Sequence, residues 1–315
     1  MKILIADDDR ISRRLLMKTL EREGYEVIAV DNGKLALQQL SLPDGPRLAL
    51  LDWMMPELNG PGVCSEIRKQ HERPYIHIVL VTSKKEKRDI VAGLEAGADD
   101  YLTKPWDPAE LTARLRVGQR ILQLEDRLVE ARETMRFKAT HDPLTSLFNR
   151  GVIVDLLARE LTRTRREGGC TVLMLGDLDH FKSVNDGYGH VVGDEVLREV
   201  ARRLLGAVRS YDFVGRYGGE EFLIVLNNCN SNHAVVRAEE VRNGIANHPI
   251  QTILGPLPIT MSLGVFASSD WNLNLVEEVL AEVDTALYRA KATGRNCVRL
   301  AEPNASSCVL GQLLK

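Results

Sequence analysis

The sequence predicts two α/β domains that are joined by a long helix. Up to about residue 106, short apolar runs alternate with amphipathic segments, which indicates βα units and a doubly wound, five-stranded parallel sheet. From Asp107 to about Lys138 a helical pattern continues with no proline beyond Pro108. After residue 140 a new series of helix, strand and hairpin patterns runs to about residue 300. At 315 residues the chain is long enough for two domains with a core each.

Five apolar segments predict the strands of the first sheet: Lys2–Ala6, Glu26–Val30, Leu48–Leu51, Ile76–Val81 and Asp100–Thr103. Polar residues follow four of these strands: Asp7, Asp8 and Asp9, then Asp52, Thr82 and Lys104. In an open parallel sheet, ligands bind beyond the carboxyl ends of the strands. One acid after a strand is often only a helix cap, but polar residues at four strand ends together predict a binding site.

The long helical segment carries an apolar seam with heptad spacing: Val117, Ile121, Leu124, Leu128, Ala131 and Met135. This spacing favours a parallel dimeric coiled coil over a helix that packs only on its own domain. Gly118 and the short seam indicate marginal stability. We assign residues 107–140 to this helical linker.

A glycine pair marks a tight hairpin in the C-terminal half. Gly218 and Gly219 separate two apolar runs, Asp212–Val214 and Phe222–Leu226, that read as strands. Two acids at the turn, together with Asp177 at the end of another apolar run, would give oxygen ligands suited to Mg²⁺. Alone, the turn would be an ordinary hairpin with solvated acids.

Composition and charge exclude several classes of protein. The net charge of −3 indicates neither nucleic acid nor an anionic membrane as a partner. No apolar run approaches a membrane span, and Met1–Asp7 is too short and too soon acidic for a signal peptide. The five scattered cysteines are typical of reduced thiols. We therefore expect a cytoplasmic protein, with a disordered tail over residues 302–315.

Residues 1–120 resemble the response-regulator receiver family, whose fold is flavodoxin-like. The matching segments are Ile5–Asp9, Leu51–Pro56, Val81–Ser83 and Tyr101–Pro105. The resemblance implies that a sensor histidine kinase phosphorylates Asp52. It also implies that Mg²⁺ is held by Asp8, Asp52 and the Met54 carbonyl, with Asp7 supporting it through water.

Further roles follow from the same resemblance. Lys104 and Mg²⁺ would supply the positive charge that attack by a carboxylate on phosphorus requires. Thr82 would hydrogen-bond the new phosphoryl group, and Tyr101 would then change rotamer.

From Asp142 onward the chain resembles the GGDEF family of diguanylate cyclases, in its Glu-for-Asp form. We assign residues 141–301 to this nucleotide-cyclase-like α/β domain. The matching segments are Asp142–Thr145 with Asn149 and Arg150, Asp177–Asp186, Gly189–Asp194, Gly218–Phe222 and Ala290–Asn296. Two departures are visible: Ser146 stands where the family usually has glycine, and Gly176 where a bulky apolar residue is usual.

The resemblance implies that two GTP molecules are joined, each 3′-hydroxyl attacking the α-phosphate of the other and expelling pyrophosphate. Mg²⁺ would be bound by Asp177, the Leu178 carbonyl and Glu220, with Glu221 close by. Glu220 is also the candidate to take the hydroxyl proton. The implied substrate-binding residues are Phe181, Lys182, Asn185, His190, Asp194, Lys291 and Arg295. Gly294 is expected to end a helix and turn Arg295 toward the site.

Two pairs of residues have an alternative interpretation. Asn185 and Asp194 would recognise the guanine edge and reject adenine, which lacks the N1–H and 2-amino donors; alternatively, both are helix caps. Arg209 and Asp212 match a product-binding inhibitory site of the family, where the arginine would contact guanine. Alternatively, they form a local surface ion pair of little energy.

Our leading hypothesis is a phosphorylation-activated diguanylate cyclase with cyclic di-GMP as product and inhibitor. Because each site holds one GTP, catalysis needs at least a homodimer. The alternative is a catalytically silent response regulator that binds GTP or cyclic di-GMP and acts by protein interaction. We reject a DNA-binding response regulator, because no helix-turn-helix pattern or basic surface follows residue 140.

Overall fold

The computed structural model describes residues 1–70, 73–83, 87–268 and 276–302. The chain divides into two compact units, Met1–Glu133 and Thr134–Lys315. Of the predicted tail, only Glu302 lies within the described residues. No helix of the described ranges is long and apolar enough to cross a membrane.

The first unit contains a five-stranded parallel sheet in the order β2-β1-β3-β4-β5. Its elements are β1 (Lys2–Ala6), α1 (Arg10–Arg22), β2 (Glu26–Val30), α2 (Gly33–Leu40), β3 (Leu48–Asp52), α3 (Gly60–Arg68), β4 (His77–Thr82), α4 (Lys87–Glu95), β5 (Asp100–Thr103) and the start of α5 (Pro108–Thr140). This confirms the predicted fold class. The strand order reverses at β1 and β3, so the residues that follow these two strands lie side by side.

Both faces of this sheet are buried, as expected for a parallel sheet covered by helices. Leu4 and Leu51 belong to one core cluster, whereas Ile3 and Leu50 belong to the cluster on the other face. Side chains of a strand alternate between faces, so each strand contributes to both layers.

Helix α5 packs on the first unit with a face that differs from the predicted seam. Its buried residues are Leu111, Leu115, Gly118 and Leu122. The seam residues are instead exposed, with Leu124 at 63%, Leu128 at 64% and Met135 at 71%. A Cβ on Gly118 would lie 2.4 Å from Cδ2 of His77. Gly118 therefore allows α5 to pack closely against His77. The sequence had instead suggested that Gly118 makes the helix marginally stable.

The second unit is built around a sheet of order β12-β11-β6-β8-β7. Its elements are α6 (Arg150–Glu167), β6 (Val172–Leu178), α7 (Phe181–Tyr188), α8 (His190–Ala207), β7 (Phe213–Gly218), β8 (Glu221–Leu226), α9 (Ser231–Ala246), β9 (Ile250–Thr252), β10 (Gly255–Leu257), β11 (Met261–Ala267), α10 (Val276–Ala292) and β12 (Val298–Leu300). The central strand β6 is antiparallel to β8 and β11. The carboxyl end of β6 therefore lies beside the Gly218–Gly219 turn.

Candidate functional site

Three acids come together beyond the carboxyl ends of β1 and β3. Ligand atoms of Asp7, Asp8 and Asp52 all lie within 4.8 Å of one another. Asp7 is 1% exposed and Asp52 9%, whereas Asp8 is open to solvent. Oxygen donors in this number and charge fit a hard divalent cation such as Mg²⁺.

Lys104 balances the charge of this acidic group. Its Nζ lies 2.9 Å from Oδ2 of Asp7 and 2.7 Å from Oδ2 of Asp52. Burial raises the pKa of Asp52 above its ordinary value, and the hydrogen bond from Lys104 opposes that rise. Burial alone would lower the pKa of Lys104, but its bonds to Asp52 and Asp7 raise it overall. The site therefore combines a partly desolvated carboxylate with a fixed cation.

The other predicted residues of this unit lie around that group. Thr82 is the buried last residue of β4, Tyr101 is half-buried on β5, and Met54 is 63% exposed. The Arg114 guanidinium lies over the Tyr101 ring, 5.4 Å from its centroid. Asp9 has a different role, since its Oδ1 caps α1 by accepting from the N–H groups of Ile11 and Ser12.

In the second unit, Asp177 and Glu221 are cross-strand neighbours on β6 and β8. Lys291, on α10, places its Nζ 2.8 Å from Oδ2 of Asp177. Burial raises the pKa of Asp177, while Lys291 and Arg295 oppose the rise. Burial and the charge of Asp177 also raise the pKa of Glu221. Two facing carboxylates whose pKa values are both raised by burial fit a divalent cation, which would neutralise both.

The sequence predicted that Glu220 would join Asp177 in one metal-binding cluster. Within the described ranges, three acidic ligand atoms come within 4.8 Å of one another only at Asp7, Asp8 and Asp52. Glu220 lies in the turn, where its carbonyl accepts from the N–H of Leu178 at 3.3 Å. It is Glu221, the next residue, that is in register with Asp177. Glu220 precedes β8, so the register that sets Glu221 opposite Asp177 does not extend to it.

The turn itself is held by a pair that the sequence did not identify. Arg216 donates from Nε and Nη2 to the Gly219 carbonyl at 2.9 and 2.7 Å, and from Nη1 to both oxygens of Asp142 at 3.1 and 3.2 Å. Oδ1 of Asp142 also accepts from the N–H and hydroxyl of Thr145. Burial alone would raise the pKa of Asp142, but these bonds lower it overall. The Asp142–Arg216 pair therefore fixes the turn that carries both glutamates.

The two departures from the family pattern have local explanations. Ser146 adopts a φ of 59°, a left-handed conformation that glycine enters more readily than other residues. At Gly176, an added Cβ would lie 2.8 Å from both Cδ2 of Leu263 and Sδ of Met261. These two side chains occupy the space that a bulky residue would fill.

Most of the predicted substrate-binding residues lie on α7, α8 and α10, and Arg295 lies in the loop after α10. Phe181 and Lys182 begin α7, His190 begins α8, and Lys291 lies near the end of α10. Gly294 follows α10 with a φ of 110°, as predicted for a residue that ends a helix. The charge of Arg295, the next residue, reaches Asp177.

Asn185 and Asp194 are not helix caps, so that alternative is wrong. Asn185 is inside α7 and Asp194 is inside α8, whereas the N-cap residues of these helices are His180 and Gly189. The Asn185 amide lies against α8, because a Cβ on Gly193 would be 2.0 Å from its Oδ1. The two side chains therefore project from adjoining turns of packed helices.

Arg209 and Asp212 line a cavity of about 240 Å³ with Asn228, Cys229 and Arg237. Asp212 accepts from the backbone N–H of Arg209 at 2.9 Å and from that of Asn227 at 3.0 Å. The Arg209 guanidinium donates to the Tyr211 hydroxyl at 2.6 Å. Asp212 thus accepts from backbone N–H groups while Arg209 donates to Tyr211, and both interpretations, the product-binding site and the surface ion pair, stay predictions.

Comparisons with known proteins agree with this geometry. The family model described as "Diguanylate cyclase, GGDEF domain" matches residues 139–297, just over half of the chain. The chain belongs to the GGDEF family. The model described as "Response regulator receiver domain" matches residues 3–116, so a receiver domain precedes the GGDEF domain.

Individual relatives match either most of this chain or about half of it. Response regulator PleD of Caulobacter vibrioides is 30% identical over 299 residues, which cover 94% of this chain and 65% of PleD. Diguanylate cyclase DgcP of Pseudomonas aeruginosa is 40% identical over 169 residues, which cover 54% of this chain and 25% of DgcP. The chain thus spans less than two thirds of the length of these relatives.

Among solved structures, the coiled coil and GGDEF domain of DgcB from Caulobacter crescentus, in complex with c-di-GMP, is similar to this chain. It is 31% identical with a TM-score of 0.52, and the match covers 61% of this chain and 99% of the DgcB chain.

Proposed function

We propose that this protein is a diguanylate cyclase that is activated by phosphorylation of Asp52. It joins two GTP molecules into cyclic di-GMP and releases two pyrophosphates. The observation that carries the proposal is the placement of Asp177, Glu221 and Lys291 together at the end of β6 in a GGDEF-family domain.

The residues that would hold Mg²⁺ here are Asp177, the Leu178 carbonyl and Glu220, with Glu221 close by in register with Asp177. When bound, Mg²⁺ supplies positive charge next to the α-phosphate. In the reaction, the 3′-oxygen of one GTP forms a bond to the α-phosphorus of the other. The bond from that phosphorus to pyrophosphate breaks, and the hydroxyl proton passes to the Glu220 carboxylate. Glu220 lies in the turn beside the end of β6, where its carbonyl accepts from the N–H of Leu178, and this position supports the role.

Positive groups of this chain bind the triphosphate. Lys291 forms an ion pair with Asp177, and the charge of Arg295 also acts on Asp177. Lys182 lies in the first turn of α7, where the helix N-terminus favours phosphate. Asn185 and Asp194 recognise the guanine edge from α7 and α8, while Phe181 and His190 complete the pocket. Because an Asp194 carboxylate accepts from N1–H and the 2-amino group, it selects GTP over ATP.

The receiver domain controls the reaction from its own site. Asp52 accepts a phosphoryl group from a sensor histidine kinase, with Lys104 on the incoming oxygens. Asp8, Asp52 and the Met54 carbonyl would hold Mg²⁺ there, with Asp7 beside it. Thr82 then binds the phosphoryl group and Tyr101 changes rotamer. This changes how two copies associate through α5, so that their two GTP sites meet. Arg209 and Asp212 bind the product and inhibit the enzyme.

The test is incubation of the purified chain with Mg²⁺ and GTP, with and without beryllium fluoride as a phosphoryl mimic, followed by chromatography and mass analysis. Cyclic di-GMP that increases with the mimic is expected. Product without a response to the mimic would remove receiver control from the proposal. Binding of GTP without any product would overturn the cyclase and leave a silent receptor.

A further inference from the structure

Asp179, two residues after Asp177, is buried in the second unit but has no role in the proposed reaction. Its carboxylate is 6% exposed. Oδ1 accepts from the Ser262 hydroxyl at 2.6 Å, and Oδ2 accepts from the Thr260 hydroxyl at 2.7 Å and from the backbone N–H of Asn296 at 3.0 Å. Among the described residues, no lysine or arginine side chain forms an ion pair with Asp179, and the nearby Lys291 pairs with Asp177 instead. A buried carboxylate that is balanced by hydrogen bonds alone depends on every one of them.

The bond to Asn296 reaches a loop in an unfavourable conformation. Gly294, Arg295 and Asn296 are consecutive, with φ angles of 110°, 61° and 44°. Two of the three carry side chains, for which the left-handed region costs free energy. Such a conformation persists only where the surroundings hold it. Here Asp179 holds the N–H of Asn296, and Arg242 donates to the Asn296 side chain at 2.7 Å.

The loop determines where the Arg295 guanidinium lies. Arg295 precedes Asn296, and its charge opposes the raised pKa of Asp177. Asp177 lies near the end of β6, and Asp179 is the first residue after that strand. Asp177 thus faces the charge of Arg295, while Asp179 holds the N–H of Asn296, the residue that follows Arg295.

We propose that Asp179 is a positioning residue: it fixes the loop that carries Arg295, and through that loop it sets the affinity of the site for the β- and γ-phosphates of GTP. The inference rests on the proposed function of this site. If Asp179 has this role, its loss should weaken only the part of the affinity that depends on the β- and γ-phosphates. A general loss of structure would weaken the binding of every nucleotide.

The test compares two nucleotides that cannot react, because both lack the attacking hydroxyl: 3′-deoxy-GTP and 3′-deoxy-GMP. Their dissociation constants are measured by calorimetry on the full chain with Mg²⁺. Asp179→Asn should raise the dissociation constant of 3′-deoxy-GTP by roughly tenfold, which is about 1.4 kcal/mol. The dissociation constant of 3′-deoxy-GMP should change by no more than about twofold. Arg295→Ala should do the same, and the double variant should bind no more weakly than Arg295→Ala alone, because the two residues act in series.

Two further variants keep the test decisive. Thr260→Val retains the shape of the side chain but removes one hydrogen bond to Asp179, so it should also weaken the binding of 3′-deoxy-GTP. This variant replaces Asp179→Asn in the test if Asp179→Asn does not fold. Val265→Ala, in the buried part of β11, is the control for a general loss of stability and should leave both affinities unchanged.

The outcomes distinguish this inference from the proposed function. The positioning role would be overturned if Asp179→Asn weakened the binding of both nucleotides equally. It would also be overturned if the fold-changes of the two single variants multiplied in the double variant. A wild-type chain that binds 3′-deoxy-GTP but makes no cyclic di-GMP from GTP would overturn the cyclase and leave the positioning role standing. A wild-type chain that binds neither nucleotide would overturn both.

Discussion

At the scale of single residues, the two candidate sites share one arrangement of charge. Lys104 lies between Asp7 and Asp52, and Lys291 lies on Asp177 beside Glu221. In both sites burial raises the pKa of the principal aspartate, and the lysine opposes the rise. Each lysine therefore limits the rise in pKa that burial causes at the neighbouring aspartate.

This arrangement predicts a pH-dependent cost at Asp52. Because its pKa in the folded domain is raised above the ordinary value of about 3.9, ionised Asp52 lowers stability at neutral pH. At pH values below about 3.9 the Asp52 carboxyl is neutral in both the folded and unfolded states, and it no longer lowers the stability. Asp52→Asn should therefore raise the free energy of unfolding of the receiver domain at pH 7 in metal-free buffer, and the gain should shrink toward pH 4.

Urea denaturation at several pH values measures this difference. Asp44→Asn, at an exposed acid, is the control and should change the stability little. A gain at Asp52 that grows on acidification would contradict the prediction.

A second prediction at this scale concerns Ser146. Its exposed side chain contributes little packing, but its φ of 59° is unfavourable for any residue except glycine. Ser146→Gly should stabilise the GGDEF domain by roughly 1 kcal/mol, measured by urea denaturation. Ser210→Gly, at an exposed serine outside the left-handed region, should give no such gain. Equal gains at both serines would show that relief of backbone strain is not the cause.

Some of these residues could be predicted from the sequence and others could not. Asp7, Asp52, Thr82 and Lys104 follow strands, and the strand pattern alone places such residues at one edge of a parallel sheet. The Asp142–Arg216 pair joins residues that are 74 positions apart, and it depends on the geometry of a hairpin turn. Asp179 stands in the same motif as Asp177, but only the contacts of Thr260, Ser262 and Asn296 separate its role from that of a ligand.

At the scale of elements, the strands of the receiver domain were predicted within one residue, whereas the apolar runs predicted for β6 and β7 end three to four residues before the strands do, and the packing of α5 was not predicted. Strand boundaries follow from short apolar runs between turn residues, a local signal. Helix α5 has two apolar faces, Leu111, Leu115 and Leu122 on one and the heptad seam on the other. Which face the receiver domain covers depends on the shape of that domain, which periodicity does not encode.

The contact between α5 and the receiver sheet gives a prediction at Gly118. Alanine normally favours a helix over glycine by about 1 kcal/mol. Here its Cβ would lie 2.4 Å from the ring of His77, which is 2% exposed and has no free space to move into. Gly118→Ala should therefore destabilise the receiver domain by about 1–3 kcal/mol despite its helix propensity.

The control is Gly244→Ala in α9, where an added Cβ meets nothing within 4 Å. This substitution should stabilise the GGDEF domain by up to about 1 kcal/mol. Thermal denaturation of both variants measures the contrast. Stabilisation by both alanines would mean that Gly118 is not held by the contact with His77.

At the scale of the whole molecule, the proposed reaction needs two GTP sites, and the exposed seam of α5 is the surface on which we expect two copies to associate. Leu124 and Leu128 are 63% and 64% exposed, so they contribute little to the stability of a single chain. Lysine at both positions would bring like charges together in a parallel coiled coil. The double variant Leu124→Lys with Leu128→Lys should therefore keep the unfolding temperatures of both domains.

The same double variant should dissociate into monomers and lose at least about tenfold in the rate of cyclic di-GMP formation per chain, a change of about 1.4 kcal/mol. Sedimentation and product analysis at several protein concentrations measure both properties on the same samples. Val129→Lys changes a neighbouring exposed position outside the seam and should leave mass and rate unchanged. The rate of the double variant should also recover as its concentration increases, because association is weakened while the active-site residues are unchanged. Monomers that turn over GTP as fast as wild-type dimers would refute the need for two facing sites, whereas dimers that persist in the double variant would place the interface away from the seam.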